Sequence, residues 1–307
     1  MSSRSLEPIG LSTALTALAI SILWGGNVVS IRVGVDTVPP LWSAFWRMLA
    51  GVIFVSTWAW TQGVSIRPAA GELKPLVILG VMFTIQIALL NSGSALTSPS
   101  YAVVLLNGYP IFVNIAAHMA AHYWKGIIHE ETITPIRAVG LILAVAGIIW
   151  LALGKPDKAL APRPLLGNCL IVASSVLLGI RQVYTRWLVQ TVDPIRSVTW
   201  QMLLSVPLFF LIAVFSEPLI YGHLTWQPVF AICYQGFVVA GLCFIVWAKL
   251  LKKHSAGTLS MFSFLVPICG IALSSWIFNE SLRGSLIYAT ALVLCGLFVV
   301  VRFGQSD

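Results

Sequence analysis

The side chains in this sequence that could do chemistry are polar residues embedded in long apolar runs. They are amides, phenols and one indole: Trp24, Asn27, Gln86, Asn91, Tyr101, Asn107, Gln182, Tyr184 and Tyr234. An amide can bond both the ammonium and the carboxylate of a zwitterion, and an aromatic face accepts an apolar side chain or a cation. These residue types predict non-covalent binding of a small molecule. Each of them could instead bond a neighbouring helix, since such contacts are common in membranes.

Acidic residues are missing from the same apolar runs. All ten Asp and Glu residues fall in loops or at the ends of runs, and the polar stretch SILWGGNVV at 21–29 has none. A proton-coupled carrier of cations ordinarily needs a buried carboxylate, so the sequence favours efflux down a concentration gradient. Within the runs, His118 is the residue that titrates near neutral pH. It is the candidate for coupling, with a hydrogen-bonded packing role as the alternative.

Enzyme and metal motifs are not evident. His118 and His122 are four residues apart, but no acidic residue or third ligand accompanies them in the same run. The five cysteines have no paired ligand spacing. The sequence therefore predicts no catalytic residue, no cofactor and no metal site.

The composition predicts an all-α polytopic membrane protein. Hydrophobic residues make up 58% of the chain and charged residues 9%, whereas a soluble domain carries about 25% charged residues. Apolar runs long enough to cross the bilayer as helices recur along the chain, at about 11–31, 40–61, 74–92, 99–121, 136–153, 165–187, 195–216, 226–248, 257–278 and 285–303. The net charge is +8, and we attribute the excess of Lys and Arg to loop residues that determine how the helices are oriented in the membrane. No nucleic-acid partner is expected.

A repeated phrase divides the ten predicted helices into two halves. TVPPLWSAFWRML at 37–49 and TVDPIRSVTWQML at 191–203 agree at seven of thirteen positions. The same offset of 154 residues aligns Gly25 with Gly179 and Arg32 with Arg186, and an offset of 157 aligns Pro110 with Pro267. We therefore predict five-helix repeats at 11–153 and 165–303, a linker at 154–164, and tails at 1–10 and 304–307. Since five is odd, the second repeat must be inverted, as in many secondary transporters.

Loop charges predict the orientation. With both termini in the cytoplasm, twelve Lys and Arg residues, Arg181 among them, fall on the inside and five on the outside. This distribution follows the positive-inside rule. Both termini are therefore expected to be cytoplasmic.

Four motifs resemble a known family. They are WGGNVVSIRVG at 24–34, a proline seven residues before Arg47, SPSYAVVLLNGYP at 98–110, and NES at 279–281 before a glycine-bearing last helix. Together they resemble the drug/metabolite transporter superfamily, specifically its ten-helix EamA-type exporters. Within that family the sequence looks most like the bacterial exporters of aromatic and other amino acids. The resemblance extends over essentially the whole chain.

The resemblance implies a central cavity, lined mainly by helices 1, 3, 4, 6, 8 and 9, and alternating access. The nine polar residues named above lie on those helices and are therefore the predicted substrate-binding set. Pro110 and Pro267 are expected to bend helices 4 and 9 and to act in gating, with static kinks as the alternative. Arg47 lies ~10 Å into the bilayer, and we favour snorkelling to the interface, or hydrogen bonding to neighbouring carbonyls, over binding of a substrate carboxylate. The glycines of WGGN predict close helix approach and a local break in helix 1.

The predicted function is export of small neutral zwitterionic metabolites, aromatic amino acids included. Phosphate-bearing substrates such as nucleotide sugars would need several cavity cations, whereas the candidates are only Arg47 and, in addition, Arg181 or Lys249. Cationic drugs would need an acidic partner. The alternatives are other metabolites or drugs of the same superfamily and, in other classes, a membrane enzyme or a channel. We expect a functional monomer in a bacterial inner membrane.

Overall fold

The described residues of the protein form ten apolar helices. The computed structural model describes residues 9–123, 134–156, 159–218, 225–282 and 284–302. In chain order the helices are α1 (Leu11–Val35), α2 (Pro40–Thr61), α3 (Leu73–Leu96), α4 (Pro99–Leu106 and Tyr109–Tyr123), α5 (Pro135–Ala152), α6 (Pro164–Leu188), α7 (Pro194–Ser216), α8 (Trp226–Cys233, Tyr234–Cys243 and Phe244–Lys253), α9 (Ala256–Ser260, Met261–Phe264 and Leu265–Phe278) and α10 (Gly284–Arg302). The described ranges contain no strand. The predicted C-terminal tail, and all but residues 9–10 of the predicted N-terminal tail, lie outside the described residues.

Length and composition qualify eight of these helices to cross a membrane, and α9 and α10 contain shorter apolar helices. Large apolar side chains point outward along the bundle, as at Phe215 and Trp276, which are 85% and 80% exposed. Such side chains suit contact with lipid. The prediction of an all-α polytopic membrane protein with ten helices is confirmed.

Helix starts are marked by proline and by carboxylates. The first residue of five helices is a proline, which is favoured there because its missing N–H would have no partner: Pro40, Pro99, Pro135, Pro164 and Pro194. Glu217 accepts hydrogen bonds from the backbone N–H groups at the start of α2, and Glu280 accepts one at the start of α4. These carboxylates satisfy free helix-end donors and complement the positive end of the helix dipole.

The helix contacts show the predicted two-fold relation between the repeats. α1 packs on α9 as α6 packs on α4, and α2 packs on α8 as α7 packs on α3. The pairs α2–α7 and α5–α10 lie on the pseudosymmetry axis, because each partner is the other's repeat mate. The second repeat therefore occupies the inverted position that an odd number of helices requires.

Glycine contacts reproduce this symmetry residue by residue. A Cβ on Gly25 would lie 2.6 Å from Cys269 Cβ, and a Cβ on Gly179 would lie 2.6 Å from Phe112 Cβ. Phe112 and Cys269 are 157 residues apart, the offset that aligns Pro110 with Pro267. A side chain at either glycine would push the helices apart, so both close approaches require glycine.

The helices that are interrupted in the structure are only in part those that the sequence predicted to be interrupted. α1 is continuous through Gly25 and Gly26, so the predicted break at WGGN is wrong, although the predicted close approach is present. Steric access for a neighbouring helix does not by itself break an α-helix. Instead α4 breaks at residues 107–108, α8 contains a π-helical segment, and α9 contains a 3₁₀ turn. Below, the N-terminal face is the side of the bilayer at which α1 begins, and the linker face is the side that carries residues 154–164.

Candidate functional site

A cavity lies where the two repeats meet. Eight helices line it, namely α1 to α4 and α6 to α9. Its lining on α6 and α8 continues to Thr185 and Leu251, close to the ends of those helices at the N-terminal face. Its buried polar residues are at most 8% exposed: Asn27, Arg47, Gln86, Asn107, Tyr109, Arg181, Gln182, Thr185 and Gln201. The cavity thus runs from mid-membrane toward the N-terminal face and is lined by enclosed polar groups.

One wall of the cavity is aromatic. The ring centroids of Trp24 and Trp247 lie 4.8 Å apart with their planes tilted by 59°, and Phe244 packs edge-on to Trp24. Trp247 Nε1 donates a hydrogen bond to Gln182 Oε1 at 3.1 Å, which fixes the indole against α6. Such a wall can receive an apolar or aromatic group.

Two arginines face the cavity. Arg47 is fully buried, and its three guanidinium nitrogens have no hydrogen-bond partner among the described residues. Arg181 Nη1 donates to Gln201 Oε1 at 3.2 Å, and its guanidinium carbon lies 5.0 Å from the centre of the Phe83 ring. The predicted snorkelling of Arg47 is wrong, because the side chain turns into the protein interior. Counting Arg181 among the loop charges was also wrong, because it lies inside α6.

The two arginines, Arg47 and Arg181, occupy different positions in the two repeats. Arg181 is the repeat mate of Asn27, and Gln201 is the repeat mate of Arg47, both at the offset of 154 residues. Each repeat thus supplies one arginine and one amide, with the two types exchanged between the first and second helix of the repeat. All four residues line the cavity.

The amides keep atoms open toward the cavity. Gln86 Nε2 donates to Ser174 Oγ at 3.0 Å, while Gln86 Oε1 has no partner among the described residues. Asn107 Nδ2 donates to the carbonyl of Val103 at 2.7 Å, one turn back in α4. Asn27 Oδ1 is also without a partner in the described part of the chain. These groups can orient a polar ligand.

The described carboxylates are all engaged elsewhere. None of the five lines the cavity: Asp36, Glu72, Asp193, Glu217 and Glu280. Asp36 pairs with Arg32 and Glu72 with Arg196, while the other three accept hydrogen bonds at helix starts. The described part of the chain also has no group of three His, Cys, Asp or Glu residues that could hold a metal ion.

Two related arginine contacts lie at opposite faces of the bundle. At the linker face, Arg32 Nη1 donates to the carbonyl of Ala95 at 3.1 Å, at the end of α3. At the N-terminal face, Arg186 Nη1 donates to the carbonyl of Leu251, at the end of α8. Arg32 and Arg186 are repeat mates at an offset of 154 residues. Between α3 and α8 the offset is 156, because Gly80 and Gly236 pack against the repeat mates Leu204 and Ala50. Ala95 and Leu251 are separated by the same 156 residues. The two contacts are therefore the same interaction at opposite faces.

The partners of these two arginines are not the same. Arg32 also forms an ion pair with Asp36, with Nη2 3.1 Å from Oδ1. Burial raises the pKa of the Asp36 carboxyl, and the Arg32 charge offsets part of that rise. The repeat mate of Asp36 is Gln190, whose side chain donates to the Arg186 carbonyl. The Arg32 contact thus has a counterion, while the corresponding position beside Arg186 is a neutral amide.

Comparison with known proteins assigns the family. A family model described as the EamA-like transporter family matches residues 11–153 and 165–302. The chain belongs to this family. The resemblance stated from the sequence motifs is confirmed, and the family consists of transporters rather than enzymes.

Relatives of this EamA-like transporter span nearly its full length. The uncharacterized transporter YoaV of Bacillus subtilis is 21% identical over 93% of this chain and 95% of its own. The "probable amino-acid metabolite efflux pump" of Escherichia coli is 25% identical over 93% of each chain. A crystal structure of 19% identity superposes with a TM-score of 0.69, covering 95% of this chain and 99% of the other. That likeness supports the fold.

Five of the nine predicted substrate-binding residues line the cavity of this EamA-like transporter: Trp24, Asn27, Gln86, Asn107 and Gln182. Their role in binding stays a prediction. The other four lie outside it. Asn91 Nδ2 donates to the carbonyl of Ile87, Tyr101 is buried near Gly154, Tyr184 donates to the carbonyl of Pro75, and Tyr234 donates to the carbonyl of Leu23. The amide nitrogen of Asn91 and the hydroxyls of Tyr184 and Tyr234 thus bond to backbone carbonyls, whereas the Tyr101 hydroxyl and Asn91 Oδ1 have no partner among the described residues. A binding role for these four residues stays a prediction.

The sequence reasoning missed several lining residues. Arg181 was considered as a cavity cation but not included in the binding set, although the offset of 154 residues makes it the repeat mate of the candidate Asn27. Trp247 and Tyr109 were not found, because an aromatic residue in a membrane helix can face the protein core, the lipid or a cavity, and its residue type does not distinguish these positions. The expectation of a neutral binding site is corrected by the two arginines.

The predicted coupling and gating residues are placed as follows. His118 is exposed on α4 and does not line the cavity. Pro110 follows the break in α4, and Pro267 follows the 3₁₀ turn in α9. The predicted bends thus coincide with interruptions at repeat mates, and a gating role for them stays a prediction.

Proposed function

We propose that this protein exports amino acids and metabolites derived from them, aromatic ones included, by alternating access through the cavity between the repeats. The observation that carries the proposal is the cavity at the repeat interface, which combines a tryptophan wall with arginine and amide groups. An arginine can bind a carboxylate, and the indoles can pack on an apolar side chain. The name of the Escherichia coli relative, a probable efflux pump for amino-acid metabolites, supports the substrate class.

Counterflow in proteoliposomes tests this proposal. Vesicles that contain the purified full chain are preloaded with unlabelled phenylalanine or leucine, and uptake of the same labelled compound is measured against glucose and a cationic dye. We expect transient accumulation of the amino-acid compounds only. Accumulation of the sugar or the dye, without any amino-acid compound, would refute the proposal.

We further propose a bacterial inner-membrane location, cytoplasmic termini and a functional monomer. The loop charges support the orientation, and eight helices of one chain suffice to enclose the cavity. Protease-sensitive tags at both termini of the protein in right-side-out vesicles should be protected until the membrane is opened. Light scattering of the purified protein should give one chain per particle.

Proton coupling is not part of the proposal, because the described carboxylates all lie away from the cavity. A pH jump across the vesicle membrane should therefore leave the rate of counterflow unchanged. A rate that requires the proton gradient would show that another group in this transporter exchanges protons.

A further inference from the structure

We propose that the cavity prefers organic anions, namely carboxylates whose amino group is acylated or absent, over free amino acids. This inference rests on the proposed function, because it takes the cavity to be the transport site. It goes further by assigning the charge that the transported metabolite carries. The candidates are N-acylated amino acids and aromatic carboxylic acids.

The first step in the argument is the net charge of the lining. Arg47 and Arg181 bring two guanidinium groups into the cavity, while the five described carboxylates all lie elsewhere with partners of their own. Two cations in a site of low polarity attract an anion strongly and repel an ammonium group. A zwitterion would gain at its carboxylate and lose at its ammonium.

The second step is the balance of donors and acceptors. Among the described residues that line the cavity, the unpartnered atoms that only donate are Trp24 Nε1, Arg181 Nε and all three guanidinium nitrogens of Arg47. The unpartnered hydroxyl of Thr185 can donate or accept. The unpartnered amide acceptors are Asn27 Oδ1 and Gln86 Oε1. An ammonium group has three donors and no acceptor, whereas a carboxylate only accepts. The donor excess therefore matches a carboxylate, and the two amide oxygens suffice for the single N–H of an acylated amine.

The third step excludes a purely structural role for Arg47. A structural buried arginine is held by carbonyls or carboxylates, because an unpaired buried charge is unfavourable. Arg181 is partly held in this way by Gln201, but Arg47 has no such partner within the described ranges. An incoming carboxylate is the group that would complete its hydrogen bonds.

The fourth step concerns the rest of the ligand. Trp24 and Trp247 form one wall, and aliphatic side chains such as Ile87, Leu90 and Val266 line other parts of the cavity. A fully polar dicarboxylate would leave these surfaces without a partner. The preferred anion therefore carries an aromatic or aliphatic group.

A matched series of compounds tests the inference. Phenylalanine amide, phenylalanine and N-acetylphenylalanine share one ring but carry charges of +1, 0 and −1 at about pH 6, below the pKa of the α-amino group of the amide. Each compound is added in turn as an unlabelled competitor, and its inhibition of the counterflow of labelled phenylalanine or leucine is measured. We expect the apparent affinity to rise in that order, with N-acetylphenylalanine ahead of phenylalanine by about tenfold or more, as removal of an unfavourable buried charge predicts.

Variants tie the preference to the two arginines. Arg47→Gln and Arg181→Gln should each reduce the preference for the anion over the zwitterion by about tenfold. Gln201→Glu places a carboxylate against Arg181 and should shift the preference toward phenylalanine. The matched control is Arg67→Gln, which removes the same charge from an exposed position outside the cavity and should leave the preference unchanged. Size-exclusion profiles and residual counterflow show which variants are folded.

The outcomes separate the two proposals. If phenylalanine competes as well as or better than N-acetylphenylalanine, the anion preference is refuted and amino-acid export stands. If the preference exists but is unchanged in all three cavity variants, the assignment to Arg47 and Arg181 is refuted. If no compound of the series competes and no labelled amino-acid compound undergoes counterflow, both the inference and the proposed function fail.

Discussion

Loss of either arginine contact is expected to open the bundle at one face only. Arg186 holds α6 to the end of α8 at the N-terminal face, and Arg32 holds α1 to the end of α3 at the linker face. A hydrogen bond from a charged donor contributes about 1.5–3 kcal/mol, and about 1.4 kcal/mol corresponds to a tenfold change in an equilibrium. Arg186→Gln should therefore raise the ratio of open to closed molecules at the N-terminal face by about 10- to 100-fold.

Arg32→Gln should do the same at the linker face with an effect of similar size. The ion pair of Arg32 with Asp36 joins two residues at the end of α1, four positions apart, so its loss does not separate α1 from α3. Opening one face should favour closure of the other if the repeats rock as rigid units.

Cysteine labelling measures both effects. In a background in which the five native cysteines are replaced by alanine, Thr185→Cys reports on the N-terminal face and its repeat mate Ile31→Cys on the linker face. Labelling at position 185 should become faster in Arg186→Gln and slower in Arg32→Gln, with the reverse at position 31. Arg67→Gln is the control for loss of charge. Two results would show that the contacts do not hold the faces closed. Either both substitutions accelerate labelling at the same reporter position, or neither substitution accelerates labelling at either position.

Three further predictions concern stability and binding. Gly296→Ala should destabilise the fold by about 1–3 kcal/mol, because the new Cβ would lie 2.5 Å from backbone atoms of α5, whereas Gly10→Ala, with open space around it, should leave thermal unfolding in detergent unchanged. Burial raises the pKa of Glu217 above its ordinary 4.5. The contribution of this carboxyl group to stability is therefore present at low pH and is lost as the pH rises through the raised pKa. The melting temperature of the protein, compared with that of Glu217→Gln, should accordingly fall from about pH 4 upward. Tyr184→Phe, outside the cavity, should leave the KM of counterflow unchanged, whereas Gln182→Ala should raise it severalfold; equal effects of these last two would contradict the placement of the site.

The helix count and the inverted repeat could be predicted because each rests on a pattern repeated in the chain. Long apolar runs have one economical structure in lipid, and an odd number of helices per repeat leaves one relative orientation. The offset of 154 residues also aligns Gly25 with Gly179, whose close helix contacts the structure shows to be equivalent. A duplicated sequence therefore predicted a duplicated packing.

The cavity could be predicted only in part. Trp24 and Asn27 were found because a polar or amphipathic group in an apolar helix needs a partner. The same reasoning selected Tyr184, whose partner is a nearby backbone carbonyl. The need for a partner does not say whether that partner is protein or ligand.

Arg47 shows a second reason for failure. At ~10 Å from the helix start, a long side chain can either reach the interface or turn inward, and sequence position alone allows both. The π-helical segment of α8 had no signal at all, because its ten residues, YQGFVVAGLC, form an ordinary apolar run. Insertion of a widened turn depends on tertiary contacts with neighbouring helices.

The two faces are held by related but unequal contacts: Asp36 pairs with Arg32 within α1, whereas Gln190 beside Arg186 reaches across to the Lys252 carbonyl at the end of α8. The difference in strength between the two closures sets how an empty carrier divides its time between the two faces. Such a preference determines which compartment the vacant binding site samples first, and so how fast each direction runs. It cannot change the equilibrium concentrations of the substrate on the two sides, because transport in both directions connects the same two states. Net export therefore requires a concentration gradient that is generated by another process.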